Sequence, residues 1–163
     1  HVILIPEIPY DLEKVLEKIH LRKEGGSPFS LIVAAEGAKE VGKGAITSEA
    51  ASTRLQGVAQ LGGVGNYIAN QLSDRINLEV RCTVLGHTQR GGTPLSFDRV
   101  LGTRLGTRAV EAAAEGALGT MVALKSQEIV LVPLESLAGL VRQVPENSQL
   151  VGTAESIGIC LGR

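Results

Sequence analysis

Residues 2–5 form an unbroken aliphatic run, Val-Ile-Leu-Ile, halted by Pro6. A run apolar at every position suits a strand covered on both faces, since a strand with one wet face would alternate. Asp11 then offers an N-cap, and Leu12, Val15, Leu16 and Ile19 recur at helical spacing until Gly25 and Gly26 end the pattern. A second, mostly apolar run, Phe-Ser-Leu-Ile-Val-Ala-Ala, occupies residues 29–35. Strand, amphipathic helix and strand in this order read as a βαβ unit, with parallel strands and a right-handed crossover. The expected class is therefore α/β.

The pattern continues down the chain. Residues 37–60 turn small and polar and read as a loop. Val64, Tyr67, Ile68, Leu72 and Ile76 return to helical spacing, with Asn77 as the stop, and residues 80–85 are expected to form a third strand. Residues 86–93 form a glycine-bearing loop. Residues 94–115 read as a long helix with Val100, Leu101, Leu105, Ala109, Val110 and Ala113 on its apolar side. Two short strands, 120–124 and 128–132, flank the turn Lys125-Ser126-Gln127. A further helix is expected over 134–141, and the apolar tail 151–161 is expected to dock.

Composition narrows the function classes. With 44% apolar and 20% charged residues, the 163-residue chain can bury a core without staples, and with only 2% aromatics that core is expected to be aliphatic. Sixteen basic against 17 acidic residues give a net charge of -1. That supplies no global pull toward nucleic acid or an anionic membrane, so any anion site must be local. No apolar run approaches the roughly 18–20 residues that span a bilayer, and a cytoplasmic protein is expected. Cys82 and Cys160 lie in apolar stretches without a CxxC spacing and read as buried thiols.

The chemistry concentrates in residues 81–99, RCTVLGHTQRGGTPLSFDR. Arg81 precedes a strand-like run, and His87 and Arg90 follow it. Ligands of open α/β sheets gather at the carboxyl ends of strands, so this order favours an anion pocket. Arg90 can clamp a phosphate through two parallel hydrogen bonds, His87 can donate to a phosphate oxygen, and Gly91-Gly92 lets backbone amides come close. The plainer alternative is an ordinary Arg-Gly-Gly turn, a structural histidine and Asp98 as a helix cap.

This segment resembles the signature of the phosphofructokinase family: Arg, four residues, Gly-His-x-Gln-Arg-Gly-Gly, five residues, Asp-Arg, with every fixed position matched over 19 residues. Ile5-Pro6-Glu7, the approach to Ala35-Glu36-Gly37 and the stretch 61–72 are similar to the same family, in particular to a bacterial subgroup that includes pyrophosphate-using enzymes. The resemblance implies a three-layer α/β/α fold with a mainly parallel sheet, lacking its N-terminal part. Consistent with that expectation, the chain opens on a strand already under way, without an initiating Met. Three regions follow: a fructose 6-phosphate-binding region over about 1–92, elements returning toward the donor domain over about 93–150, and a tail over 151–163.

The resemblance also assigns roles. The residue matching Arg81 reaches across a subunit interface to the 6-phosphate, those matching His87 and Arg90 approach the sugar phosphate from the other subunit, and Glu36 accepts from sugar hydroxyls. Asp98 and Arg99 are expected to do structural work. Arg104 and Arg108 read as a solvated face, Lys39 and Lys43 as a solvated pair, and the glycines at 62–66 lack the third glycine of a dinucleotide loop.

The implied activity is phosphoryl transfer to the 1-hydroxyl of fructose 6-phosphate. Mg²⁺ and ATP or pyrophosphate would be held by the full-length parent and not by this chain, because the donor loop, the catalytic aspartates and the metal site belong upstream of His1. No catalytic, cofactor or metal residue is therefore assigned here. The implied partners are fructose 6-phosphate, the missing N-terminal half, and further copies in a dimer or tetramer whose site is shared between subunits. No cation stands in residues 26–29, so effector control of the usual bacterial type is not expected. The alternative is a free, non-catalytic sugar-phosphate-binding or scaffolding module.

Overall fold

The computed structural model describes residues 1–44 and 63–163; the greater part of the expected 37–60 loop lies outside them. The described residues carry four helices and four strands. They divide into two compact units, His1–Val84 with Gln143–Arg163, and Leu85–Arg142.

The first unit is built on the βαβ pattern. Strand β1 (Val2–Leu4) pairs in parallel with β2 (Ile32–Ala34), and α1 (Leu12–Glu24) connects them. Asp11 caps α1 by accepting from the Glu13 N–H at 2.9 Å, and the Gly25 N–H closes the other end on the Leu21 carbonyl. Cys160 adds to the free edge of β1, its carbonyl accepting from the Ile3 N–H at 2.9 Å. The tail therefore docks as expected.

Pleating sends alternate residues of β1 to opposite sides. Val2 and Leu4 pack with Leu12, Val15 and Ile19 of α1 and with Val64, Ile68 and Leu72 of α2 (Val64–Ser73). Ile3 and Ile5 pack with Val151 of α4 (Gln149–Ser156), Ile159 and Leu161. Burying each such side chain contributes about 1.5–3 kcal/mol, and among the described residues this unit holds nearly all of the buried ones. One aromatic departs from the aliphatic expectation: Tyr10 is fully buried in this core.

The second unit packs α3 (Ser96–Ala114) on an antiparallel hairpin of β3 (Thr120–Lys125) and β4 (Glu128–Pro133). Ser126 takes a positive φ of 58° at the hairpin turn. Arg104 fastens helix to turn by donating to the Gln127 carbonyl at 2.7 Å. Arg108 pairs with Glu115 at 3.1 Å and with Glu111 at 3.5 Å. The solvated face expected of these arginines therefore carries local hydrogen bonds and ion pairs.

Three element expectations fail. Residues 80–85 form no strand; the run has strand composition but no ladder partner among the described residues, and Val84 is 67% exposed. The expected 134–141 helix is a single 3-10 turn, Leu134–Leu137. The apolar side expected for α3 is largely uncovered, with Val100 at 59% and Val110 at 72% exposure, while Ala112 is its buried residue. The two thiols are not buried either: Cys82 is exposed and Cys160 half-buried, both free. Among the described residues no helix is long and apolar enough to cross a membrane.

Candidate functional site

The four expected site residues divide between the units. Glu36 and Arg81 belong to the first, His87 and Arg90 to the second.

Glu36 stands two residues past β2, where the strand runs out into the loop 35–44. It is exposed, and its Oε1 accepts the Gly63 N–H at 3.1 Å. Gly63 precedes α2 and holds a φ of 82°, the left-handed region that favours glycine. The carboxylate therefore serves a helix N-terminus, whose unpaired N–H groups and positive dipole end favour an anion. Arg81 is 81% exposed along its side chain and donates from Nε to Glu79 Oε1 at 2.8 Å. So exposed a pair contributes little stability, because solvent screens it.

Arg81 and Cys82 also border a cleft of about 460 Å³ between β2, α2 and residues 78–83. Ile32, Ala34, Ile68, Leu72, Ile76 and Val80 make its lining predominantly apolar. That lining would desolvate a phosphate, with Arg81 at the border as the compensating cation. Glu36 does not line the cleft, so Arg81 and Glu36 share a unit but not this cavity.

His87 and Arg90 lie on the 3-10 turn Gly86–Arg90. Residues three apart eclipse one another on a 3-10 helix, so the imidazole and the guanidinium leave the turn on one side. Both residues are exposed, and among the described residues neither side chain has a hydrogen-bond partner. Gly91 follows, its N–H on the Thr88 carbonyl, and Gly92 takes a φ of 114° that a side chain would resist. An open turn presenting two donors, an imidazole and a guanidinium, can receive an anion. Asp98 performs the expected structural job, its Oδ2 accepting the Leu95 N–H at 2.8 Å at the start of α3.

Residues 1–113 match the phosphofructokinase family. The chain belongs to that family. Its curated relatives include the ATP-dependent 6-phosphofructokinase of Chloroflexus aggregans, 47% identical over 99% of this chain and 43% of the relative. ATP-dependent 6-phosphofructokinase 2 of Clostridium perfringens is 43% identical over 97% of this chain and 43% of its own length. The pyrophosphate–fructose 6-phosphate 1-phosphotransferase of Amycolatopsis methanolica is 46% identical over 89% of this chain and 42% of the relative. The chain thus spans less than half the length of these relatives.

Sequence reasoning missed a polar cluster behind Glu36. Tyr67 on α2 donates its hydroxyl hydrogen to Glu40 Oε2 at 2.9 Å and accepts from Lys43 Nζ at 2.9 Å. Lys43 also meets Glu40 Oε1 at 2.8 Å; it is exposed, as the sequence suggested, but paired. Its hydrogen bonds to Glu40 and then to Tyr67 hold its pKa well above the usual lysine range. Tyr10 lies nearby, its buried hydroxyl without a partner among the described residues. Burial first, then the Glu40 charge, pushes its pKa up to about 12. Tyr67 had looked like one more residue on an apolar helix face, and no spacing signal marks a hydroxyl that bridges two charges.

Among the described residues no three His, Cys, Asp or Glu side chains converge to hold a metal ion.

Proposed function

We propose that this chain supplies the fructose 6-phosphate-binding half of a cytoplasmic 6-phosphofructokinase, which forms fructose 1,6-bisphosphate in glycolysis. The observation that carries the reading is the full match of residues 81–99 to the family signature, in a chain whose family match covers residues 1–113. Arg90 and His87 take the sugar phosphate from one subunit, Arg81 reaches the 6-phosphate from a neighbouring one, and Glu36 accepts from sugar hydroxyls. Charged donors suit the phosphate and an acceptor-only carboxylate suits the hydroxyls.

Phosphoryl transfer of this kind is mostly positioning and charge stabilisation. This chain's share is the positioning of the acceptor sugar. The base, Mg²⁺ and the phosphoryl donor belong to the remainder of the enzyme, and the donor is ATP or pyrophosphate, the two named among the relatives. Packing of β1 between α1 and α2 on one side and α4 on the other supports the three-layer reading of the fold. The region boundaries proposed from the family, about 1–92, 93–150 and 151–163, are functional divisions and differ from the compact units. Exposed apolar side chains on α3 and beyond it, Phe97, Val100, Val110 and Leu118, support burial against the rest of the enzyme or a further copy in a homo-oligomer.

The test is Arg90→Ala in the protein encoded by the full open reading frame that carries this sequence. The Michaelis constant for fructose 6-phosphate is expected to rise about 10- to 100-fold, the worth of a charge-assisted hydrogen bond. An unchanged constant overturns the assignment of Arg90. A frame that encodes no donor-binding part, with fructose 6-phosphate still bound and no turnover, would favour the free binding module instead.

A further inference from the structure

Loop 35–44 and the start of α2 are fastened at two points with matching spacing. On the loop the points are Glu36 and Glu40; on the helix they are Gly63 and Tyr67. The first tie is the Gly63 N–H on Glu36 Oε1 at 3.1 Å, and the second is the Tyr67 hydroxyl on Glu40 Oε2 at 2.9 Å. Tyr67 and Gly63 are themselves joined, the Tyr67 N–H donating to the Gly63 carbonyl at 2.9 Å. Lys43 closes the second tie into a triangle by donating to both Tyr67 and Glu40.

The far side of the loop is held as well. The Tyr10 N–H donates to the Lys39 carbonyl at 2.8 Å, the Val41 N–H donates to the Tyr10 carbonyl at 2.9 Å, and Ala38 is buried between these bonds. Glu36 itself remains exposed. Its position is therefore set by its neighbours rather than by packing of its own side chain.

We propose that Tyr67 is a positioning residue for the sugar site: its hydroxyl, bridging Glu40 and Lys43, fixes the loop from which Glu36 meets the sugar. The inference rests on the reading of Glu36 as the acceptor for sugar hydroxyls. A tyrosine suits the task because one hydroxyl donates and accepts at once. Phenylalanine keeps the ring and its packing but can do neither. Among the described residues Glu40 would then face Lys43 alone, and the loop would keep the Glu36 tie to α2, the bond that a sugar hydroxyl competes with.

The experiment compares Tyr67→Phe, Glu40→Ala and Glu36→Gln in the protein encoded by the full open reading frame. For Tyr67→Phe the Michaelis constant for fructose 6-phosphate is expected to rise about tenfold while kcat stays within about twofold, the scale of one hydrogen bond spent on positioning. Exchange of the Gly63 amide hydrogen, followed by NMR, is expected to quicken in the same variant. A merely structural role would lower the active fraction, and with it apparent kcat, without moving the Michaelis constant. If Glu36→Gln raises that constant and Tyr67→Phe does not, the positioning inference falls and the reading of Glu36 stands. If Glu36→Gln leaves it unchanged, that reading falls and takes the inference with it. Should Tyr67→Phe fail to fold, Glu40→Ala decides: it leaves the ring in place but removes the acceptor of the Tyr67 hydroxyl, and an unmoved constant overturns the proposal.

Discussion

Glu36 Oε1 accepts the Gly63 N–H at 3.1 Å, so the carboxylate proposed to hold the sugar also terminates a helix. The two jobs separate by substitution. Glu36→Gln keeps an acceptor oxygen for Gly63 and is expected to cost less stability than Glu36→Ala, while weakening sugar-phosphate binding through loss of the charge. Glu36→Ala removes both and is expected to cost about 1 kcal/mol of stability, the usual worth of an N-terminal cap. Equal stability losses in the two variants would contradict this division.

Tyr10 is fully buried with an unpartnered hydroxyl. Its ring contributes packing while its oxygen is a liability, so Tyr10→Phe is expected to be neutral or to stabilise by up to about 1 kcal/mol near neutral pH. Its pKa is raised from 10.0 to about 12 in the folded state, chiefly by burial. Below pH 10 the hydroxyl is protonated whether the chain is folded or not, and stability is complete. As pH rises toward 12 the unfolded chain loses the proton first, and stability falls. Denaturation midpoints across that window should decline less in Tyr10→Phe than in the wild type, and parallel declines would count against the assignment.

Gly162 closes the tail against the same tyrosine. It holds a φ of 80°, and an added Cβ would stand 2.4 Å from the Tyr10 Cβ and 3.2 Å from a Leu4 methyl. Gly162→Ala is therefore expected to destabilise by about 1–3 kcal/mol or more, combining overpacking with a disfavoured backbone. The linear-extrapolation free energy from urea unfolding checks this, and a loss under about 0.5 kcal/mol would show that the tail yields easily.

What the sequence revealed and what it concealed follow from the range of the forces involved. The β1–α1–β2 unit was legible because an unbroken aliphatic run and a helical stripe are local signals, and the Asp11 and Gly25 ends were legible as caps. Residues 80–85 misled because their composition states a preference for a strand, whereas a strand exists only where a partner accepts its backbone. The α3 face misled for a related reason: the spacing of Val100 and Val110 shows that they can be covered, not that they are. His87 and Arg90 stand out through the residues around them, since seven adjoining motif positions are far more specific than either side chain. Tyr67, Glu40 and Lys43 stayed hidden because their bonds join segments 24 and 27 residues apart without any motif.

The central claim is that the turn bearing His87 and Arg90 holds the phosphate of fructose 6-phosphate. It is tested most directly by titrating the protein encoded by the full open reading frame with fructose 6-phosphate and with fructose, in the wild type and in Arg90→Ala, by calorimetry. The account expects the wild type to prefer the phosphorylated sugar and Arg90→Ala to weaken that binding about tenfold or more, with little change for fructose. Fructose 6-phosphate binding of wild-type strength in Arg90→Ala would contradict it.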